Sequence, residues 1–171
     1  LLSPSVFGIF FVVTAVISFL NYFSDIGLAA ALVQMKQEPK RIELVSVFTL
    51  QELIVLAIAG IALFFSPQIA LFYQLTPRGI ILFKALLLSF FLASLKTIPS
   101  ILLERKLDFS RLIFPQVLEN IVFYSTAIIL AALKMDELSF AYASILRGIV
   151  GVFAIYWVSP WLPGISFSFY K

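Results

Sequence analysis

Cysteine and histidine are both absent from this chain. Their absence excludes disulfides, thiolate nucleophiles, imidazole metal ligands and every histidine-based catalytic triad. Charge is scarce too: Asp, Glu, Lys and Arg make up 12% of the 171 residues, about half the roughly 25% of a soluble domain. So little polar surface cannot wrap a core in water. There is no GxxxxGK[ST], no HExxH and no nucleophile elbow. Phosphate-driven or metal chemistry is therefore not expected of this chain. It reads as a non-enzyme without a cofactor, and energy from ATP would have to come from another chain. No basic n-region followed by a small-residue cleavage site marks a secretory signal.

What is present is apolar. Hydrophobic residues form 62% of the sequence, and mean hydropathy is +1.09. Runs of about 20 apolar residues follow one another, each long enough to cross roughly 30 Å of hydrocarbon. They are continuous rather than alternating, which selects helices over a barrel. The fold expected is all-α: a polytopic membrane helix bundle of five spans, at Ser5–Val33, Leu44–Phe65, Gly79–Leu103, Leu112–Leu133 and Leu138–Val158. QMKQEPKRIE, SPQIALFYQLTPR, ERKLDFSR and KMDE read as connecting loops, and SPWLPGISFSFYK as a tail.

The net charge of +3 sits in short loops, so it reads as membrane topology and not as a nucleic-acid surface. Lys36, Lys40, Arg41, Arg105, Lys106, Arg111 and Lys171 fall on one side, against Arg78 and Lys134 on the other. The positive-inside rule places the first group in the cytoplasm. Leu1–Pro4 is then outside, and a helix is expected before this segment in an intact protein with a cytoplasmic N-terminus. Trp157, Trp161 and Tyr170 are expected to form an interfacial belt.

Six charges fall within the spans: Asp25, Glu52, Lys84, Lys96, Glu119 and Arg147, beside Asn21, Gln51 and Asn120. Each costs at least about 2.5 to 3.5 kcal/mol near the bilayer centre, so each needs a reason. Asp25, Glu52, Lys96 and Glu119 lie eight or nine residues from the polar loop flank of their own spans, or about 12 to 14 Å at 1.5 Å per residue. They form one layer. One reading is that they pair with one another, for instance Asp25 or Glu52 with Lys96, and fasten the bundle. The other is that they line a hydrated cavity for a polar substrate or a coupling ion. Arg147 is too central to snorkel cheaply, whereas Lys84 can reach the outer surface.

Ser18, Asn21, Asp25 and Ala29 recur on one helical stripe, with Asp25 expected to face the interior. Gly27 and the alanines after it permit close packing or a bend, and Pro99 is expected to kink its span near Lys96. Gly148 and Gly151 leave space beside Arg147 for a bulky headgroup, and Ser144, one turn earlier, adds a hydroxyl.

Several stretches carry a resemblance together. LLSPSVFGIF with its SPxxFG, AVISFLNYFSDIGLAAALVQ, ERKLDFSRL and VSPWLP are similar to the polysaccharide biosynthesis, or Wzx-like oligosaccharide flippase, family. That family lies within the multidrug/oligosaccharidyl-lipid/polysaccharide exporter superfamily. The resemblance spans essentially the whole chain, as helices two to six of the N-terminal lobe of a larger two-lobe transporter. It implies movement of an undecaprenyl-diphosphate-linked oligosaccharide, or related envelope polysaccharide precursor, across the bacterial inner membrane by alternating access. It also implies polysaccharide polymerase and glycosyltransferases as partners. Arg147, Lys96, Asn21, Ser144 and Asn120 are the substrate-binding candidates, and Asp25, Glu52 and Glu119 the coupling or cavity acids. KMDELSFAY lacks the family's Gly-rich turn, and Lys96 stands where a small residue is expected. A cation-coupled multidrug antiporter of the same superfamily and a non-transporting membrane scaffold are the alternatives.

Overall fold

The computed structural model describes residues 2–24 and 27–166, apart from the side chains of Leu28 and Ala29. Among the described residues every regular element is an α-helix: α1 (Pro4–Ser24), α2 (Leu28–Gln34), α3 (Arg41–Phe64), α4 (Ser66–Phe72), α5 (Pro77–Ser94), α6 (Thr97–Arg105), α7 (Phe109–Ala132) and α8 (Glu137–Val158). Of these, α1, α3, α5, α7 and α8 are long and apolar enough to cross a membrane. The five-span bundle read from the sequence is borne out.

Three boundaries differ from those expected. The first span does not run unbroken to Val33: it is divided between α1 and α2, and Gly27 adopts φ +75° at the start of α2. Glycine enters the left-handed region without the steric penalty other residues meet there. The third span divides into α5 and α6 at Leu95–Lys96, where the sequence predicts a kink, and the cause is Pro99. Proline has no N–H to donate to the carbonyl four residues back, so the Leu95 oxygen is orphaned inside the bundle. The Tyr156 hydroxyl of α8 donates to it at 3.1 Å. The third difference is α4, which occupies part of what reads as a loop. Pro67 lies in its first turn, where a missing N–H is harmless, and Leu71 and Phe72 are left exposed.

Packing divides the interior into two apolar clusters with a polar layer between them. One cluster joins Val13, Val55, Leu82, Phe83 and Ala143, with Phe10 stacked on Phe140 at 4.2 Å. The other joins Leu32, Leu44, Phe48, Ile98, Ile101 and Trp161. Along α3 the chain passes from Phe48 to Val55 through Thr49, Gln51 and Glu52. Along α5 and α6 it passes from Phe90 to Ile98 through Ser94, Lys96 and Thr97. The charge layer read from helix depth is therefore real for Glu52, Lys96 and Glu119; Asp25 lies outside the described residues.

Both ends of the bundle are tied. Arg105 of α6 donates to the carbonyls of Leu32 and Val33, two of the last carbonyls of α2, which have no intrahelical partner, and to that of Gln37 in the loop beyond. The two Lys/Arg-rich loops thus lie together, as the charge count requires, and assigning that end to the cytoplasm rests on the positive-inside rule. At the opposite end the Thr76 hydroxyl caps α5 by accepting from the Gly79 amide at 2.9 Å and donates to the buried Glu137 at 2.9 Å. Arg78 pairs with Asp136 at 2.7 Å. In place of a glycine-rich turn, Lys134 and Asp136 take φ values of 59° and 50°.

The tail corrects the belt expected of the tryptophans. Trp157 is exposed, but Trp161 is buried against Phe48, with ring centroids 5.1 Å apart. The chain then runs back along α3, where the Ser166 amide donates to Thr49 Oγ1 at 3.0 Å. Tyr170 lies outside the described residues.

Candidate functional site

The polar layer gathers around one carboxylate. Glu119 of α7 is 6% exposed, and its Oε1 accepts from Lys96 Nζ at 2.6 Å. Its Oε2 faces Arg147 Nε at 3.4 Å. Lys96 stands in the turn between α5 and α6, so the break imposed by Pro99 also places its ammonium opposite α7. Asp25 and Glu52 are the partners that helix depth suggests for Lys96, and the structure gives it Glu119 instead. Glu52 lies elsewhere in the layer: its Oε2 accepts from Ser94 Oγ at 3.0 Å. Its Oε1 is buried and makes no hydrogen bond among the described residues.

Gly151 makes room for Glu119. A Cβ there would fall 2.1 Å from Glu119 Oε1, and one at Gly148 would fall 2.8 Å from Leu92 Cδ1. The space beside these glycines is therefore filled by Glu119 and Leu92, and is not open to a headgroup as expected from the sequence.

The cluster is unbalanced in charge and in exposure. Among the described residues two cations share one carboxylate, which leaves a formal surplus of one positive charge. The Lys96 and Glu119 side chains are 19% and 8% exposed, against 45% for Arg147. Arg147 turns only its Nε toward Glu119, and its terminal nitrogens have no hydrogen-bond partner among the described residues. Phe123 steadies it from one side, 5.7 Å from ring centroid to guanidinium carbon. A guanidinium stays protonated even when poorly solvated, so the arrangement is a fixed positive charge with free donors.

Around the cluster lies a small cavity of about 200 Å³ lined by Asn21, Lys96, Glu119, Ser144 and Arg147, with Ile17 and Phe90 among its apolar walls. Arg147 and Ser144 also line a groove of about 680 Å³ whose walls are Phe7, Phe10, Phe11, Phe123, Tyr124 and Phe140. This groove runs between α1 on one side and α7 and α8 on the other. A further pocket of about 290 Å³ holds Asn21, Ser24, Gln51, Ser94 and Thr97.

Five sequence candidates, Arg147, Lys96, Asn21, Ser144 and Glu119, thus meet in one cavity. Glu52 belongs to the layer without lining that cavity. Asn120 is exposed and lines none of these pockets, because one residue along a helix is about 100° around it and Glu119 takes the inward position. Lys84 is exposed, as its depth implied. Residues that reasoning from the sequence passed over are Ser94, Thr97, Tyr156 and Glu137. Ser94 and Thr97 flank Lys96, and that run of polar residues just before Pro99 is the signal that could have found them.

A bundle of five apolar helices with a charged cavity in its interior beside an aromatic groove is the architecture of a polytopic membrane protein. The chain belongs to the polysaccharide biosynthesis protein family, which it matches over residues 1–171; the resemblance read from the sequence is borne out. No curated protein and no solved structure matches it.

Proposed function

We propose that this chain belongs to a flippase that carries a lipid-linked oligosaccharide, or a related envelope polysaccharide precursor on undecaprenyl diphosphate, across the bacterial cytoplasmic membrane. Transport proceeds by alternating access, without bond chemistry or a bound cofactor. Glycosyltransferases supply the cargo and polysaccharide polymerase consumes it.

The observation that carries this reading is Arg147 in the aromatic groove, half-exposed and with no partner for its terminal nitrogens among the described residues. An amphiphile with an anionic head needs apolar walls for the chain and a fixed positive charge for the diphosphate. A guanidinium fork suits phosphate oxygens in particular. Pairing alone does not account for Arg147, because Lys96 holds Glu119 at the shorter distance. A scaffold would need no surplus charge in its interior.

The test is complementation of a host lacking its own exporter, with inner-leaflet lipid-linked oligosaccharide measured. Arg147→Ala should accumulate at normal abundance yet leave the lipid inside, and Arg147→Lys should restore part of the export. Normal export by a well-expressed Arg147→Ala protein would reject the proposal.

A further inference from the structure

We infer that the pocket beside the cationic cluster is a subsite for one neutral sugar ring, the residue attached directly to the lipid diphosphate. This rests on the function proposed above, since the same cavity must hold the diphosphate. The pocket of about 290 Å³ is bordered by Asn21, Ser24, Gln51, Ser94 and Thr97, side chains that carry hydroxyl or amide groups and no charge. Asn21 and Phe90 also line the cavity of Lys96 and Arg147, so the two spaces share a wall.

The hydrogen-bond pattern selects the ligand. Asn21 Nδ2 donates to the Ile17 carbonyl at 3.0 Å, and Gln51 Nε2 donates to Thr97 Oγ1 at 3.0 Å. A primary amide has two N–H donors and a carbonyl acceptor. Among the described residues each amide therefore keeps one donor and one acceptor. Ser24 gives its hydrogen to the Asn21 carbonyl at 2.9 Å and keeps its lone pairs. A sugar hydroxyl both donates and accepts, and neighbouring hydroxyls match an amide that does the same. A cation would use only the acceptors, and among the described residues no carboxylate lines the pocket, Glu52 meeting it only through Ser94. The volume stands near the lower end of the roughly 300 to 1,000 Å³ usual for small-ligand clefts, which suits one ring and not a chain of sugars.

The test measures binding to the protein in lipid nanodiscs. The probes are undecaprenyl diphosphate alone and the same lipid carrying one N-acetylglucosamine, glucose or galactose. At least one sugar should tighten binding about tenfold, the weight of one or two net hydrogen bonds. Gln51→Ala should abolish that gain and leave affinity for the bare diphosphate unchanged. If Gln51→Ala also weakens bare-lipid binding, the shape-conserving Thr97→Val decides the question by the same comparison. The inference is overturned if no sugar adds affinity, if the gain survives these substitutions, or if the pocket responds instead to sodium over potassium. Bare-lipid binding that does not depend on Arg147 would overturn the flippase reading, a separate result from loss of the sugar increment.

Discussion

Adding one methyl group at Gly151 tests how Glu119 is seated. The new Cβ would lie 2.1, 2.5 and 2.9 Å from Oε1, Cδ and Cγ of Glu119, and no rotation of a terminal atom relieves three such contacts. The carboxylate must leave, stranding Lys96 in the interior. Breaking a buried ion pair costs about 3 to 5 kcal/mol, while replacing a helical glycine by alanine recovers about 0.5 to 1 kcal/mol. Gly151→Ala should therefore lose about 2 to 4 kcal/mol on that balance. Gly8→Ala and Gly60→Ala, where a Cβ meets nothing within 4 Å, should be neutral or slightly stabilising. Gly148→Ala meets the end of a Leu92 side chain and should fall between. The assay is thermal unfolding of the purified protein followed by size-exclusion chromatography. In a Glu119→Ala background, Gly151→Ala should cost little more, because the two changes remove the same contact. A Gly151→Ala protein as stable as Gly8→Ala would refute the placement of Glu119.

Four further outcomes follow from the same geometry. Lys96→Ala should lower thermal stability more than Arg147→Ala, because the 2.6 Å contact carries more of the pairing with Glu119 than the 3.4 Å one; equal losses would count against it. Tyr156→Phe should cost about 1 kcal/mol by orphaning the Leu95 carbonyl, and the cost should shrink when Pro99→Ala restores a backbone donor, as a double-mutant cycle would show. Thr76→Ala removes the α5 cap and the donor to Glu137 and should cost about 1 to 2 kcal/mol in a denaturation series. In a chain without cysteine, thiols introduced at Gln37 and Ser110 should resist an impermeant reagent in intact cells while one at Thr76 reacts; the reverse pattern would invert the topology.

The spans are legible in the sequence because twenty apolar residues in a row admit few other structures. The breaks are legible as residue types only: Gly27 and Pro99 stand where the chain bends. The consequence of the second break, a carbonyl handed to Tyr156 some sixty positions away, depends on how α8 packs. Helix depth places Glu52, Lys96 and Glu119 in one layer correctly. It cannot choose the partner of Lys96, because residues at equal depth are distinguished only by the rotation of each helix about its axis. Glu119 and Asn120 illustrate this, adjacent in sequence and on different faces. Trp161 departs from the expected belt because an aromatic residue near a span end has the same sequence context whether it meets lipid headgroups or, as here, folds back onto Phe48.

The most direct measurement is the affinity of the purified protein for undecaprenyl diphosphate when the charge of the cluster is changed in both directions. With two cations around one carboxylate, Arg147→Gln should weaken binding and Glu119→Gln should strengthen it, both effects fading as salt rises. Equal affinity in wild type, Arg147→Gln and Glu119→Gln would show that the cluster only fastens helices and that the diphosphate binds elsewhere.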